Sequence, residues 1–163
     1  RPGDILQLLD FKVCTLFKNH HEEYFLAEGM DLALCIFDTN VRTVQYAGAI
    51  NPIYHLHKGQ LKEIKADRMP VGISDIPNGY NFTNHELSYH PDDIFYLFTD
   101  GYLDQFGGQN EQKYKQSRFK EFLSNFKSDN MDMQEAMLEN NFDRWRGKNE
   151  QVDDVLVIGI RMS

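Results

Sequence analysis

The chain has 163 residues, a formal net charge of −8 and a pI of about 5.2. Hydrophobic residues make up 41% of it, which is ordinary for a globular protein and excludes a disordered chain. The acidic balance argues against a nucleic-acid or anionic-membrane surface, and no stretch reaches the roughly 18 apolar residues of a membrane span. We predict one domain over residues 1–163. Cys14 and Cys35 lack a CxxC spacing, which indicates reduced core thiols in a cytoplasmic protein.

Hydrophobic periodicity predicts the elements in chain order. An amphipathic helix comes first, followed by a β-hairpin, several further strands, two helices and a closing strand. Five residues of the last helix are predicted to face the core: Met133, Met137, Leu138, Phe142 and Trp145. Strands with hairpin-like connections, followed by helices, indicate an α+β layered domain with mainly antiparallel sheet. The predicted helices cover residues 5–18, 112–126 and 131–145, and the predicted strands cover 30–37, 41–47, 52–57, 61–65, 82–89 (an edge strand), 94–98 and 152–161.

Two acidic turns adjoin apolar strands. Asp100 and Gly101 follow the run at 94–98, and Asp153 and Asp154 precede the run at 155–160. A carboxylate at the mouth of a buried strand is costly unless it is paired, and hard divalent cations take carboxylate oxygens. The turns therefore predict part of a metal site. The alternatives are that Asp100 caps the next segment and that Asp153 and Asp154 form an exposed acidic turn.

Two further patterns have both a metal-related and a plainer interpretation. Asp104 lies four residues after Asp100 and shares its face if a helical turn begins there; we favour a solvated helix acid. His55 and His57 lie on one side of a strand and have the residue types of a zinc or copper site; we favour a weakly buried edge face.

Five segments in this order resemble one family: EGMDLALCIFD, VQYAGAINPIYHL, RMPVGI, FYLFTDGYLDQFGG and EQVDDVLVIGIR. The chain resembles the C-terminal two-thirds of a bacterial serine phosphatase domain of the sporulation stage II E type, within the metal-dependent (PPM) protein phosphatases. The resemblance implies an αββα sandwich of two mainly antiparallel sheets flanked by helices, here without its N-terminal strands.

The resemblance also implies roles for the acidic turns. Asp100 and Asp153 match metal ligands that serve catalysis, Asp154 matches a position beside them, and Gly101 keeps the backbone close to the metal. In the complete domain, two manganese or magnesium ions would activate a water that attacks phosphoserine or phosphothreonine. Residues 29–31 match a segment lining the site, and residues 68–72 match a loop that is structural or near the substrate.

One motif of the family is missing. No Asp-x-x-Gly-His-Gly run, which would supply the acid that bridges both ions, occurs in the chain. We expect that the chain is part of a longer protein; a degenerate domain is the alternative. On its own it is expected to be inactive, to bind metal weakly and to expose sheet edges that favour a homodimer.

The leading interpretation is the phosphatase domain of a bacterial signalling protein. Its implied substrate and partner is a phosphorylated regulatory protein that resembles an anti-anti-sigma factor, without nucleic acid or direct membrane contact. The alternative is a pseudophosphatase that binds a protein without chemistry. A third, an unrelated metal-binding or nuclease-like domain, fits poorly with the net charge of −8.

Overall fold

The structure is a computed structural model that describes residues 1–18, 29–73, 80–126 and 130–163. The chain forms two compact units, one of residues 1–53 and 64–89 and the other of residues 54–63 and 90–163. None of the helices in these described ranges is long and apolar enough to cross a bilayer.

The helices are α1 (Pro2–Lys18), α2 (Gly101–Asp104), α3 (Lys115–Ser124) and α4 (Met131–Arg146). The strands are β1 (Leu32–Asp38), β2 (Thr43–Ala49), β3 (Ile53–His57), β4 (Gln60–Ile64), β5 (His85–Ser88), β6 (Ile94–Phe98), β7 (Phe106–Gly107), β8 (Gln112–Lys113) and β9 (Val157–Arg161).

The first unit contains a three-stranded antiparallel sheet in the order β1-β2-β5. The predicted hairpin is confirmed, with Asp38 opposite Thr43 at its closed end. The Asp38 carboxylate accepts the Asn40 backbone N–H at 2.9 Å, which fixes the turn. The predicted edge strand is β5, and α1 covers the sheet. The core of this unit consists of Leu6, Ala47, Ala49, Val71 and Phe82.

The second unit is built on a four-stranded sheet in the order β4-β3-β6-β9. Its most apolar strand, β6, lies between β3 and β9 and pairs antiparallel with both. Helices and antiparallel sheets together confirm the predicted α+β class. The aromatic core of this unit includes Tyr54, Tyr96, Phe98, Tyr102, Phe119 and Phe126.

Two boundaries differ from the prediction because side-chain patterns do not mark where pairing begins. The closing strand was predicted from residue 152 but starts at Val157, since only from there do residues pair with β6. The helix predicted from residue 112 starts at Lys115, because Gln112 and Lys113 pair with β7 instead. Segments of only a few residues are too short to show a hydrophobic period.

The predicted inward face of α4 is partly wrong. Met133 and Met137 are 53% and 38% exposed, whereas Gln134 is 1% exposed. The Tyr96 hydroxyl donates to Gln134 Oε1 at 2.7 Å, so a polar residue occupies the face where hydrophobic ones were expected. A buried amide is tolerated when it is hydrogen-bonded. The partly buried residues on the true inner face are Met131, Leu138 and Trp145, which pack with Phe142 on the core.

Candidate metal centre

The two acidic turns lie at one end of the four-stranded sheet. Strands β6 and β9 run antiparallel with Phe98 opposite Val157. The end of β6 therefore adjoins the start of β9. Asp100 follows that end, and Asp153 and Asp154 precede that start. The sequence-based expectation that these acids neighbour one another thus agrees with the sheet register.

Thr99 joins the two turns and was not singled out from the sequence. Its backbone N–H donates to the Leu156 carbonyl at 3.0 Å, and its hydroxyl donates to the Asp154 carbonyl at 2.8 Å. The same hydroxyl accepts the Leu156 N–H at 3.0 Å. A hydroxyl can donate and accept at once, so Thr99 holds the backbone that carries Asp154 beside the one that carries Asp100. The sequence feature that could have identified Thr99 is a small hydroxyl residue between the apolar strand β6 and the Asp-Gly turn.

Gly101 brings the turns closer than any other residue type would allow. An added Cβ would lie 2.9 Å from the Asp154 carbonyl carbon and 3.4 Å from that of Asp153, and it would overlap the Asp154 oxygen. These neighbours are backbone atoms that no rotamer change can move. Only a residue without a Cβ permits this approach of the two backbones, and the role of Gly101 beside a metal stays a prediction.

The carboxylates face solvent. Asp100 occupies the N-cap position of α2, with φ −71° and ψ −17°, and its side chain makes no capping hydrogen bond. The alternative that Asp100 serves as a cap is therefore not supported. Asp153 Oδ1 accepts the Asp154 N–H at 2.7 Å, and the Gln151 side chain donates to the Asp153 carbonyl at 2.8 Å. Asp100, Asp153 and Asp154 are all exposed.

This donor set fits a hard divalent cation, which favours carboxylate and carbonyl oxygens. The set is also sparse. Among the described residues, the acids here do not bring three ligand atoms within 4.8 Å of one another. Magnesium takes near-octahedral coordination, so these turns supply only some of the ligands that one ion needs.

Asp104 does not join this set. Its backbone N–H donates to the Asp100 carbonyl at 2.9 Å, while its carboxylate pairs with Lys113 Nζ at 2.6 Å. The pair is more than 40% exposed on both sides, which agrees with the interpretation of Asp104 as a surface acid.

The other segments matched by resemblance lie in the first unit. Met30 and Val71 form two backbone hydrogen bonds, 2.7 and 2.9 Å long. The Gly72 N–H donates to Asp10 Oδ1 at 2.8 Å. Residues 29–31 and 68–72 are thus paired with each other, and their roles near the site stay predictions.

The two strand histidines have a partner that sequence reasoning missed. His55 Nε2 lies 2.8 Å from Asp93 Oδ2, and His57 Nδ1 lies 2.5 Å from Asp93 Oδ1. The expectation of an edge face was wrong, because β3 lies between β4 and β6. Asp93 directly precedes the apolar strand β6, but the sequence does not show that this strand pairs with the strand that carries His55 and His57.

Comparisons with known proteins identify the fold. The family model described as stage II sporulation protein E (SpoIIE) matches residues 1–163. The SiaA-PP2C domain of Pseudomonas aeruginosa superposes with a TM-score of 0.86 at 26% identity, covering 99% of this chain and 61% of that one. The chain therefore spans about three fifths of that solved domain. A search of curated proteins gave no match.

Two further solved structures share the fold at lower identity. The phosphatase domain of the cell fate determinant SpoIIE from Bacillus subtilis has a TM-score of 0.62 at 13% identity, covering 98% of this chain and 72% of that one. A bacterial serine phosphatase variant has a TM-score of 0.66 at 14% identity, covering 99% of this chain and 65% of that one. The fold is that of PP2C-type serine phosphatase domains.

Proposed function

The chain belongs to the stage II sporulation protein E family, and we propose that it acts within a metal-dependent protein serine/threonine phosphatase. The observation that carries this proposal is the pair of carboxylate turns joined by Thr99 and Gly101 at one end of the sheet. The Asp100 side chain is exposed and makes no capping hydrogen bond, which leaves its carboxylate available to bind a cation.

Each residue of the centre has a distinct proposed role. Asp100 and Asp153 bind metal directly and are the catalytic acids. Asp154 lies beside them and supports the turn through its backbone, and Gly101 permits the close approach. Manganese or magnesium, two ions in the complete domain, would generate the attacking water and neutralise phosphoryl charge. The sparse donor set supports the proposal that this chain alone binds metal weakly.

The proposed substrate is phosphoserine on a regulatory protein that resembles an anti-anti-sigma factor. Family membership supports this choice, and the net charge of −8 weighs against nucleic acid as a partner. The proposed setting is the cytoplasm of a bacterium. A homodimer formed through sheet edges is the proposed assembly.

The experiment is manganese-dependent hydrolysis of p-nitrophenyl phosphate by this chain and by a version extended upstream from its parent gene. Activity only in the extended protein supports a phosphatase whose remaining ligands lie outside these residues. Absence of activity in both, and on a phosphoserine peptide, would favour the pseudophosphatase. Asp104→Asn is the matched control, because that acid lies on the same turn but pairs with Lys113.

A further inference from the structure

A second cluster of metal-ligand types lies at the other end of β6. Asp93 immediately precedes the strand, whereas Asp100 follows it. These acids are seven residues apart, which in extended chain corresponds to roughly 23 Å at about 3.3 Å per residue. The cluster of His55, His57 and Asp93 is therefore separate from the carboxylate turns.

The cluster holds three ligand atoms of the right kinds close together. His55 Nε2, His57 Nδ1 and an Asp93 oxygen all lie within 4.8 Å of one another. Ligands of a tetrahedral zinc ion, bound at about 2.0–2.2 Å, are separated by roughly 3.3 Å. To admit an ion, the two His–Asp distances of 2.8 and 2.5 Å would open by several tenths of an ångström. Each ring nitrogen that faces Asp93 would give up the proton of its hydrogen bond, to its other ring nitrogen or to solvent.

The supporting contacts hold these groups in place. The His55 ring stacks on Phe95 with centroids 4.5 Å apart and planes 6° apart. The His90 backbone N–H donates to Asp93 Oδ2 at 2.9 Å, and the Met162 N–H donates to the Asp93 carbonyl at 2.8 Å. Outer contacts of this kind orient metal ligands and tune their affinity.

The Asp93 side chain is 3% exposed. Its carboxylate accepts the His90 backbone N–H and contacts both imidazoles, so its two oxygens are held facing the two histidines. The His57 side chain is 33% exposed, so an ion can reach the cluster from solvent.

We propose that His55, His57 and Asp93 form a binding site for a transition-metal ion of the zinc class. Two imidazoles and one carboxylate suit zinc, copper or nickel, whereas magnesium and manganese favour oxygen ligands. The His90 ring has its centroid 5.2 Å from that of His57 but is not among the residues whose ligand atoms lie within 4.8 Å of one another, so water would supply the fourth ligand. The site thus differs in both position and metal class from the phosphatase centre proposed above.

The test is titration of the full chain with Zn²⁺, monitored by competition with a chromophoric chelator, in excess Mg²⁺ to occupy oxygen-rich sites. Co²⁺ provides a second readout, since imidazole ligation gives it visible absorption bands. We expect one ion per chain. His57→Gln should weaken binding at least about tenfold, the lower bound for loss of a supporting contact. His85→Gln, which removes a histidine stacked on Tyr46 in the first unit, is the control and should bind as the unaltered chain does.

The Asp93→Asn variant adds a second test if it folds as judged by circular dichroism; His57→Gln alone decides the matter if it does not. Unchanged Zn²⁺ affinity in folded His57→Gln would overturn the proposal. So would the absence of Zn²⁺ binding by the unaltered chain at tens of micromolar, and the cluster would then be a hydrogen-bonded structural network. Neither result depends on phosphatase activity.

Discussion

The α-carbon of Gly101 lies against the backbone carbonyl of Asp154, leaving no room for a side chain. A Cβ at Gly101 would overlap the Asp154 oxygen and stand 2.9 Å from its carbonyl carbon. Gly101 is 52 or more positions away from Asp153 and Asp154 in sequence, and this contact places the two acidic turns side by side. Because Thr99 hydrogen-bonds the same Asp154 carbonyl at 2.8 Å, neither backbone can withdraw without losing a contact.

Gly101→Ala should therefore displace the turn that carries Asp153. Overpacking against backbone costs about 1–3 kcal/mol, and for a chain of this size each kcal/mol lowers Tm by about 2–4 °C. We expect weaker Mn²⁺ binding in addition to a lower Tm. Isothermal titration and thermal denaturation measure the two effects.

The control for this substitution is Gly59→Ala, in the turn between β3 and β4. Nothing lies within 4 Å of a Cβ there, and the cost comes only from the positive φ of 77°, roughly 1–2 kcal/mol. Gly59→Ala should lower Tm without changing Mn²⁺ affinity. Equal loss of metal affinity in both variants would show that stability, and not the turn geometry, controls binding.

Replacing either proposed ligand should abolish most of the activity while sparing the fold. Asp100→Asn and Asp153→Asn remove charges that are exposed, so unfolding free energies should stay within about 0.5 kcal/mol of the unaltered value. The Mn²⁺-dependent rate in the extended protein should fall by at least about 100-fold, beyond the roughly 10–100-fold typical of outer-shell partners. Near-normal turnover in either variant would show that the ligand assignment is wrong.

Much of the fold was predictable because its signals are local. Strand β6 and the hairpin around Asp38 follow from apolar runs and turn residues, and the structure confirms both. The inner face of α4 was less predictable, because Gln134 enters the core through a hydrogen bond from Tyr96. A hydrophobic pattern contains no information about which polar residue will find a distant partner.

The candidate sites likewise contain residues that the sequence alone marks and residues whose role depends on distant partners. The Asp-Gly and Asp-Asp turns were visible in the sequence, since acids beside apolar strands are unusual. Thr99 and Asp93 were missed because their importance arises only from strand register. Asp93 comes opposite the two histidines when β3 pairs with β6, with Leu56 opposite Ile94, and no spacing along the chain reveals that pairing.

The thiol of Cys35 should resist alkylation in the folded chain. Burial raises its pKa from 9.0 to about 12, so at pH 8 only about one thiol in ten thousand is the reactive thiolate. In a Cys14→Ser background, iodoacetamide should label the native chain far more slowly than the urea-unfolded chain. Equal rates would contradict the assigned burial.

The same pKa shift makes stability dependent on pH in a defined direction. The unfolded thiol ionises near pH 9, whereas the folded thiol keeps its proton to about pH 12. The contribution of Cys35 is therefore complete below pH 9 and declines as the pH rises toward 12. The difference in unfolding free energy between the unaltered chain and Cys35→Ala should shrink between pH 8 and pH 10.5, as urea denaturation would show.

Trp145 should be costly to truncate although it is only partly buried. Its ring N–H donates to the Gln105 carbonyl at 3.0 Å, its ring meets Tyr114 edge-on at 5.2 Å, and the Arg118 guanidinium lies 4.7 Å above it. Because the ring is only partly buried, Trp145→Ala should cost about 3 kcal/mol, the low end for such truncations. Trp145→Phe, which loses the hydrogen bond but keeps an aromatic ring, should cost about 1 kcal/mol.

Met137→Ala on the same helix is the control and should change stability by less than about 0.5 kcal/mol, since that side chain is 38% exposed. Urea denaturation of the three variants measures these differences, and a larger loss in Met137→Ala than in Trp145→Phe would show that α4 presents the methionine face to the core after all.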